Sequence, residues 1–420
     1  MDAKKRRDFI QNIVIALLSV AAVFLFAQTQ IYNLGAEAGY LRFLSAGSRT
    51  SGAEHSQTSG LAAPVRVAVT GPYGRYGNVT LSTADAEFES LDRLLGEVLG
   101  SARTYTACDP QSFAAALKGT SVYYDFLEPL PLSVLAELVG GAAGEDDISA
   151  RRLVVSAQND SVLLYLWDGA SAYLRCTTAL SVESLESAVS HYELGNAMFA
   201  FDNTDPTLHC EDVALYSLFL ESEPALPVLE GSASIADTDA LLSALRFNPY
   251  TKNRYQEPDG TEVVYEGDRS LRVRTDGIIH YQSGGDASLS VKSAGDVPTL
   301  EEAVTGVWSL LGTLSAPGDA SLYLQSISQN GSITVLTFGY QVNGVPIRFA
   351  DGGSAARVTL SEAVVSALEL RLRQYTASDT ASMLLPLRQA LAIAAQIPGA
   401  ELSIGYADSG GTVSAVWLSD

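Results

Sequence analysis

Phe9–Ile31 reads FIQNIVIALLSVAAVFLFAQTQI, a near-continuous apolar run. A run of about twenty such residues is what an α-helix needs to cross the hydrocarbon core of a bilayer. Directly before it, Met1–Asp8 holds four consecutive basic residues, and basic residues beside a span are retained on the cytoplasmic side. These four are Lys4, Lys5, Arg6 and Arg7. The sequence therefore predicts a cytoplasmic tail at 1–8, a transmembrane helix at 9–31 and an extracytoplasmic body after it, anchored in the cell membrane by a single pass.

A cleaved secretory signal peptide is the competing interpretation of the same run. Its apolar region would span only about 7–15 residues and would be followed closely by a small-x-small cleavage site. Here the apolar run is longer, and the nearest such triplet, Ala36-Glu37-Ala38, lies well beyond its end. These two features favour an uncleaved anchor.

One side of the predicted membrane helix carries a seam of residues at alternating spacings of four and three. Its members are Asn12, Ala16, Ser19, Val23, Phe26 and Gln30. Small residues permit close approach of two helices in lipid, and polar residues hydrogen-bond across them. The seam is thus a hypothetical contact for a partner helix; the alternative is a plain anchor whose Asn12 and Gln30 mark the two interfaces.

Charge is the second feature that limits the function. The 420-residue chain has a formal net charge of -22, and without Met1–Asp8 it holds 22 basic and 46 acidic residues. Such a surface repels nucleic acid, so we expect no nucleic-acid partner. Hydrophobic residues make up 47% of the chain, which is enough for the body to bury real cores.

The composition of the chain, together with its helix and strand patterns, predicts several segments and domains. Residues 32–64 form a juxtamembrane segment and, in Ser45–Pro64, a spacer rich in Ser, Gly and Ala. We predict an N-terminal extracytoplasmic α/β domain at 65–230, with a break at Pro224–Ser232. A middle domain at 235–315 and a C-terminal domain at 316–420 follow, each an antiparallel sheet with helices on one face.

The second half of the chain shows a recurring pattern that supports an α+β class. Asp276-Gly277 turns a predicted hairpin, and Pro298–Leu311 is an amphipathic helix. Further strands follow, and Leu384–Ile397 is a second such helix before a closing hairpin. We read this as two similar modules.

Motifs of several enzyme classes are missing from the sequence. It contains no P-loop, no H-E-x-x-H, no G-x-S-x-G and no S-x-x-K arrangement. Cys108, Cys176 and Cys210 are odd in number and have no C-x-x-C spacing, which favours buried thiols over a disulfide framework or metal site. His209 precedes Cys210, but neighbours on a strand face opposite sides, so we expect no catalytic dyad.

Two acidic clusters are the best candidates for a cation. Glu145-Asp146-Asp147 and Asp202-Asn203-Thr204-Asp205 offer hard oxygen ligands, yet neither has calcium-loop spacing. Solvated loops are the better interpretation of both. We therefore predict no catalytic, cofactor or metal residues.

Three segments of the second half resemble one family. They are Tyr265–Tyr281 (YEGDRSLRVRTDGIIHY), Phe338–Phe349 (FGYQVNGVPIRF) and Leu402–Leu418 (LSIGYADSGGTVSAVWL). Together with the basic tail and single membrane helix, they resemble the YycH/YycI regulators of the WalK/WalR (YycG/YycF) two-component system of low-GC Gram-positive bacteria. The resemblance implies a non-enzymatic regulator that binds a membrane sensor histidine kinase, and a sister membrane-anchored regulator besides.

Two other classes of function stay open. An extracytoplasmic binding module would take a cell-wall fragment or peptide in a groove between domains. An envelope hydrolase is the third class, and the absence of a recognisable nucleophile–base pair disfavours it.

Overall fold

Two large β-sheets with helices packed on them form the part of the chain that the computed structural model describes. The described residues are 66–79, 86–141, 148–234, 238–285, 289–295, 297–314, 318–397 and 399–419. The predicted α+β class is confirmed there. The predicted tail, membrane helix and spacer lie outside these residues. Within the described ranges, we find no helix with both the length and the apolar character that a bilayer crossing requires.

The described residues form seven α-helices. They are α1 (Ala86–Ser101), α2 (Pro110–Ala116), α3 (Leu132–Leu138), α4 (Val182–Val189), α5 (Thr238–Ala244), α6 (Leu300–Leu314) and α7 (Leu387–Ala394). Local sequence explains several boundaries. The Asp109 side chain accepts a hydrogen bond from the backbone N–H of Ser112 at the start of α2, and Pro110 fills its first turn. Ser181 caps α4 in the same way through Ser184.

The first sheet contains nine antiparallel strands. They are β1 (Arg66–Thr70), β2 (Tyr76–Val79), β3 (Arg103–Ala107), β4 (Ser121–Pro131), β5 (Ser149–Gln158), β6 (Ser161–Trp167), β7 (Tyr173–Thr177), β8 (Ala197–Phe199) and β9 (Leu218–Leu220). Their order across the sheet is β3-β7-β6-β5-β4-β1-β2-β8-β9. Strands β1, β4, β5 and β6 are central, so the residues that they place opposite one another lie deep in the body.

Both faces of the first sheet are covered, which explains why its central strands are apolar on both sides. Helices α1, α3 and α4 pack on one face, against residues such as Tyr124 and Val155. Helix α2 covers part of the other face through Phe113, which lies in a cluster with Tyr123 and Val154. Tyr123 and Tyr124 are consecutive on β4, so their rings point to opposite faces of the first sheet.

The second sheet contains thirteen strands. They are β10 (Pro227–Ala233), β11 (Arg254–Gln256), β12 (Glu262–Glu266), β13 (Arg269–Val273), β14 (Ile278–Ser283), β15 (Ser321–Asn330), β16 (Ile333–Val342), β17 (Val345–Phe349), β18 (Ala356–Ser361), β19 (Val364–Arg371), β20 (Arg373–Ala381), β21 (Leu402–Asp408) and β22 (Gly411–Ser419). The order is β11-β12-β13-β14-β19-β18-β16-β17-β21-β22-β10-β20, and β15 pairs with β16 off this path. The pairing of β17 with β21 is parallel, whereas the other strand pairs of the described residues are antiparallel.

One hydrophobic core runs through both sheets. Helix α6 packs Val304, Val307 and Leu311 against strands of the second sheet. Helix α3 of the first sheet contacts α6, and β4 contacts β15. The two sheets therefore bury apolar surface against each other.

The predicted break at Pro224–Ser232 lies where the chain passes from the first sheet to the second. Within it, Pro227 begins β10 (Pro227–Ala233), which pairs with both β20 and β22. Strands from both predicted ranges, 235–315 and 316–420, lie in the second sheet, where β14 pairs with β19. The boundaries of the individual domains stay predictions.

Candidate functional site

The basic residues Lys4–Arg7, the seam from Asn12 to Gln30 and the acidic cluster Glu145–Asp147 all lie outside the described residues.

The second acidic cluster is divided among separate local partners. Asp202 accepts hydrogen bonds from the Tyr76 hydroxyl at 2.8 Å and from Lys118 Nζ at 2.5 Å. Asp205 instead accepts from the backbone N–H and the hydroxyl of Thr207, at 2.8 and 2.7 Å. Their carboxylates therefore serve different local contacts and form no shared oxygen cage.

A different trio of side chains brings potential ligand atoms within 4.8 Å of one another: His209, Glu211 and Asp212. All three are exposed, and no second feature of the described residues marks a cation site there.

The three cysteines lie within the described part of the chain as free thiols. Cys210 is buried, whereas His209 before it is exposed and has a left-handed backbone with φ of 47°. The pair lies at a short 3-10 turn, not on a strand, because β9 begins only at Leu218. Burial, with nearby Glu211 and Asp205, raises the pKa of Cys210 to about 11, so this thiol is protonated at neutral pH.

A buried ionic cluster is the largest electrostatic feature of the described body. We define it as Arg66, Asp125, Arg151, Arg152 and Glu401. The Asp125 carboxylate is fully buried and contacts Nη2 of Arg66 at 2.8 Å, Nε of Arg151 at 3.3 Å and Nε of Arg152 at 3.1 Å. It also accepts hydrogen bonds from the Tyr123 hydroxyl and from the backbone N–H of Leu127. A buried carboxylate requires such partners, because the free-energy cost of its desolvation otherwise prevents burial in the ionised form.

Strand register assembles the cluster. Arg66 on β1 lies opposite Asp125 on β4, which lies opposite Arg152 on β5. Arg152 in turn lies opposite Trp167 on β6, and its guanidinium lies 4.6 Å from the Trp167 ring centroid. Residues opposite one another project from the same face of a sheet. The row therefore places alternating charges and an aromatic ring side by side in one buried layer.

Glu401 joins this row from the second half of the chain. It forms an ion pair with Arg66, contacts Nη2 of Arg151 at 2.5 Å and lies 2.7 Å from Nη2 of Arg152. Burial alone would raise the pKa of Asp125, but the charges of the three arginines together outweigh it and lower that pKa. The pKa of Glu401 is lowered by the same arginines, against its burial and the neighbouring Asp125. Both acids are therefore ionised in the folded protein.

The cluster fixes the start of β21 to the first sheet. Ala400, just before Glu401, accepts a hydrogen bond from the backbone N–H of Ala214, and Leu402 donates its N–H to the Ser217 hydroxyl. These contacts hold the backbone on both sides of Glu401. The side chain of Leu402, the next residue, forms part of a surface groove.

We call this groove the α7–β22 groove; its volume is about 180 Å³. Its walls come from the β20–α7 connection, α7, β21 and β22. The lining residues are Met383, Leu384, Leu385, Ala390, Ile393, Ala394, Leu402, Ala415, Val416, Trp417 and Ser419. Trp417 is held in place because its indole N–H donates to the carbonyl of Leu385 at 2.7 Å.

Large apolar side chains are exposed in and beside the α7–β22 groove. The exposed fractions are 97% for Met383, 46% for Leu385, 56% for Ile393 and 60% for Ile397. Contiguous exposed apolar surface marks sites that bind another protein, a membrane or a ligand. Helix α7 follows the predicted amphipathic pattern but leaves part of its apolar side uncovered by the described residues.

The residues that line the groove carry no charged side chain. Residues 380–400 contain no acidic residue, and Arg388 is their single charged residue, in a chain with 48 acidic residues. Outside that stretch, Glu223 is exposed and accepts a hydrogen bond from the backbone N–H of Leu387 at the start of α7. The groove is thus an apolar surface with one exposed acid, Glu223, and one exposed base, Arg388, near the start of α7.

Sequence reasoning did not identify either feature. The partners of the ionic cluster are separated by up to 335 residues, so no local pattern reveals it. The groove had no distinctive signal either, since acid-free stretches longer than 380–400 occur elsewhere, at 320–350 for example.

We compared the chain with protein-family models, with curated proteins and with solved structures, and none of them matches it.

Proposed function

We propose that this chain is a non-enzymatic, membrane-anchored regulator that binds a sensor histidine kinase outside the cytoplasm. The observation that carries the proposal is the α7–β22 groove, an apolar surface on an acidic body. Leaving large apolar side chains in water forfeits about 25 cal/mol for each Å² that a partner would bury. A protein contact at Met383, Leu385 and Ile393 recovers this free energy.

The N-terminal sequence supports the location. The basic residues before Phe9–Ile31 favour a cytoplasmic N-terminus and an extracytoplasmic body. A tethered body meets other membrane proteins at high effective concentration, which raises the occupancy of a small contact surface. A sensor kinase has both a membrane helix and an extracytoplasmic segment, and the tether brings this body close to both.

The contacts that join the groove to the first sheet support a regulatory role. Glu401, within the buried ionic cluster, precedes Leu402 in the groove. A partner seated in the groove therefore contacts an element that the ionic cluster joins to the first sheet. A binding protein with different affinities for two conformations of a kinase biases the kinase toward one of them.

The test is photo-crosslinking of the full chain in its own membrane. A photoreactive benzoylphenylalanine replaces Ile393 in one strain and, as a control, Tyr73 in another. Tyr73 is 92% exposed and lies on the β1–β2 turn, outside the groove. We expect an adduct containing the sensor histidine kinase, identified by mass spectrometry, from position 393 and not from position 73.

Three results would overturn the proposal: no kinase adduct from position 393, equal kinase yields from both positions, or soluble wall glycan as the captured species at position 393.

A further inference from the structure

One face of the second sheet carries a row of half-exposed polar side chains. Leu271 and Tyr281 lie opposite one another on β13 and β14 and point into the core. The residues that alternate with them point to the other face, where Arg272, His280 and Glu369 lie opposite one another on β13, β14 and β19. These three side chains are 46%, 40% and 40% exposed.

Two tyrosines extend this row to β11, at the edge of the sheet. Tyr255 lies opposite Val263 on β12, which lies opposite Arg272. Tyr265 follows Val263 by two residues and therefore projects from the same face. The two tyrosines are 49% and 41% exposed, and their rings are nearly parallel, with centroids 6.3 Å apart and planes 17° apart. They form an aromatic pair at the surface.

Polar contacts hold one ring of this pair in place. The Arg272 guanidinium lies 3.3 Å from the Glu257 carboxylate, from Nη2 to Oε1. A hydrogen bond to Tyr265 and the charge of Glu257 raise the pKa of Arg272. Val263 is fully buried, so the side chains around it on this face also pack over it. Rings held in this way lose little side-chain entropy when a ligand stacks on them.

We call this feature the open row. Its members are Tyr255, Val263, Tyr265, Arg272, Glu257, His280, Glu369 and Arg357, the last of which lies opposite Glu369 on β18. Two arginines and two glutamates give it a formal net charge of zero, with histidine counted as neutral, in a chain of net charge -22. A polyanion requires a surplus of basic residues, so the open row favours an uncharged ligand.

The shape of the open row favours a chain over a compact molecule. The five neighbouring strands from β11 to β19 span about 19 Å, at about 4.8 Å between neighbours. Compact ligands bind in concave pockets, whereas a sheet face offers a long strip. The faces of aromatic rings carry partial negative charge, on which the C–H groups of a sugar pack. Guanidinium groups donate hydrogen bonds to hydroxyls, and carboxylates accept them.

We propose that the open row binds an extended, uncharged polysaccharide. Its sugar rings stack on Tyr255 and Tyr265, and its hydroxyl groups hydrogen-bond to Arg272, His280 and Glu369. A β-1,4-linked chain of hexoses fits this strip, because it is extended and exposes apolar C–H groups on both faces of each ring. The inference goes beyond the proposed function and uses none of the groove residues.

A protein partner is the other occupant of a sheet face, and it fits the open row less well. A peptide that adds to a sheet uses unpaired backbone groups at an edge, whereas the strands from β12 to β18 are paired on both sides where the row crosses them. The centre of a protein interface is depleted of charged residues. Here β13, β19 and β18 each contribute one, namely Arg272, Glu369 and Arg357.

The test measures binding of chitohexaose and cellohexaose to the full chain in phosphatidylcholine nanodiscs by isothermal titration calorimetry. We expect at least one of them to bind, with an affinity that added salt leaves unchanged because the ligand carries no charge. Tyr255→Ala and Tyr265→Ala should each weaken binding by about fivefold, since each removes a stacking ring. Tyr255→Phe keeps the ring and should weaken binding less than Tyr255→Ala does.

Two further variants separate loss of binding from loss of folding. His280→Ala lies in the open row but not beside Val263, so we expect it to weaken binding without loosening the aromatic pair. Tyr73→Ala is the matched control, because Tyr73 is 92% exposed on the β1–β2 turn of the first sheet, and it should bind as the wild type does. Circular dichroism checks that each variant is folded.

No binding of either glycan, or binding that the three alanine substitutions in the row leave unchanged, would overturn the inference. Binding of heparin in place of both neutral glycans would assign the row to an anionic polymer and overturn it too. A protein adduct from benzoylphenylalanine at position 255, without glycan binding, would assign the row to a protein partner, with the same consequence. Kinase crosslinking at position 393 depends on none of these results, so the proposed function fails or stands separately.

Discussion

Arg152 and Asp125 form an ion pair between neighbouring strands, with 3.1 Å from Nε to Oδ2 and side chains that are 1% and 0% exposed. Glu401 reaches the same guanidinium from the other half of the chain, at 2.7 Å. Burial of such a pair costs desolvation free energy. Removal of one partner nevertheless destabilises the protein, because it leaves an unpaired buried charge. The stability of the body should therefore depend on the acids of the cluster.

Asp125→Asn should lower the free energy of unfolding by about 3–5 kcal/mol, because three guanidinium groups then face a single carboxylate. Urea unfolding followed by circular dichroism measures the change. Asp379→Asn is the control, since Asp379 is exposed on β20 and a surface substitution of this kind stays within about 0.5 kcal/mol. Equal effects of the two substitutions would contradict the role of the cluster.

The stability should also fall in acid. The folded-state pKa values of Asp125 and Glu401 lie below their ordinary values, which are near 4 in an unfolded chain. As the pH falls below about 5, the unfolded state takes up protons first, so the stabilisation is lost toward the folded pKa values. Urea midpoints at pH 7, 5, 4 and 3 measure this loss.

Glu401→Gln should make that loss shallower, because one of the two shifted acids is gone. Glu128→Gln, at an exposed position on β4, should leave the pH profile as in the wild type. Identical profiles for all three proteins would show that the cluster does not set the acid sensitivity.

Two helical glycines should respond in opposite directions to alanine. A Cβ at Gly96 in α1 would lie 2.5 Å from the backbone carbonyl oxygen of Val139, whereas a Cβ at Gly312 in α6 would meet nothing within 4 Å. We expect Gly96→Ala to lower the free energy of unfolding by roughly 1–3 kcal/mol through overpacking. Gly312→Ala should raise it by about 0.5–1 kcal/mol through helix propensity. Thermal unfolding of both variants checks the signs; stabilisation by Gly96→Ala would contradict the close approach of α1 to Val139.

The buried thiols should resist alkylation. Burial raises the pKa of Cys176 and Cys210 to about 11. At pH 8 the reactive thiolate is then on the order of one part in a thousand. Iodoacetamide and mass spectrometry should therefore find slow labelling of both in native protein and fast labelling in urea. A disulfide between any two of the three cysteines, seen as a mass loss that a reductant reverses, would contradict the structure.

Elements with strong local signals could be predicted from the sequence. The cap at Asp109 and the proline at Pro110 are local signals for the start of α2, and the predicted closing hairpin is β21 with β22. Helix α7 lies inside the predicted range Leu384–Ile397. In each case the determining interactions lie within a few residues of one another.

Elements that depend on distant partners could not be predicted. Strand β20 reads RQYTASDTA, a largely polar sequence that is strand because it pairs with β10, far away in the chain. Strand β19 contains Ala, Leu and Glu, which favour helices, yet it is held between β14 and β18. Strand propensity is weak compared with such pairing.

The two candidate sites, the ionic cluster and the α7–β22 groove, also depend on residues that lie far apart in the sequence. The ionic cluster needs register across β1, β4 and β5 together with Glu401, and no single-sequence pattern contains that information. The groove depends on how α7 packs against the β21–β22 hairpin, and no local sequence pattern contains that information.

Kinase output in cells that carry Ile393→Glu tests most directly whether the α7–β22 groove is where this regulator binds its kinase. The measurement is the phosphorylated fraction of the cognate response regulator, compared among wild type, deletion, Ile393→Glu and Tyr73→Glu strains at matched protein levels. Contact through the groove predicts that Ile393→Glu matches the deletion and Tyr73→Glu matches the wild type. A wild-type phosphorylated fraction in the Ile393→Glu strain, with the deletion strain altered, would contradict it.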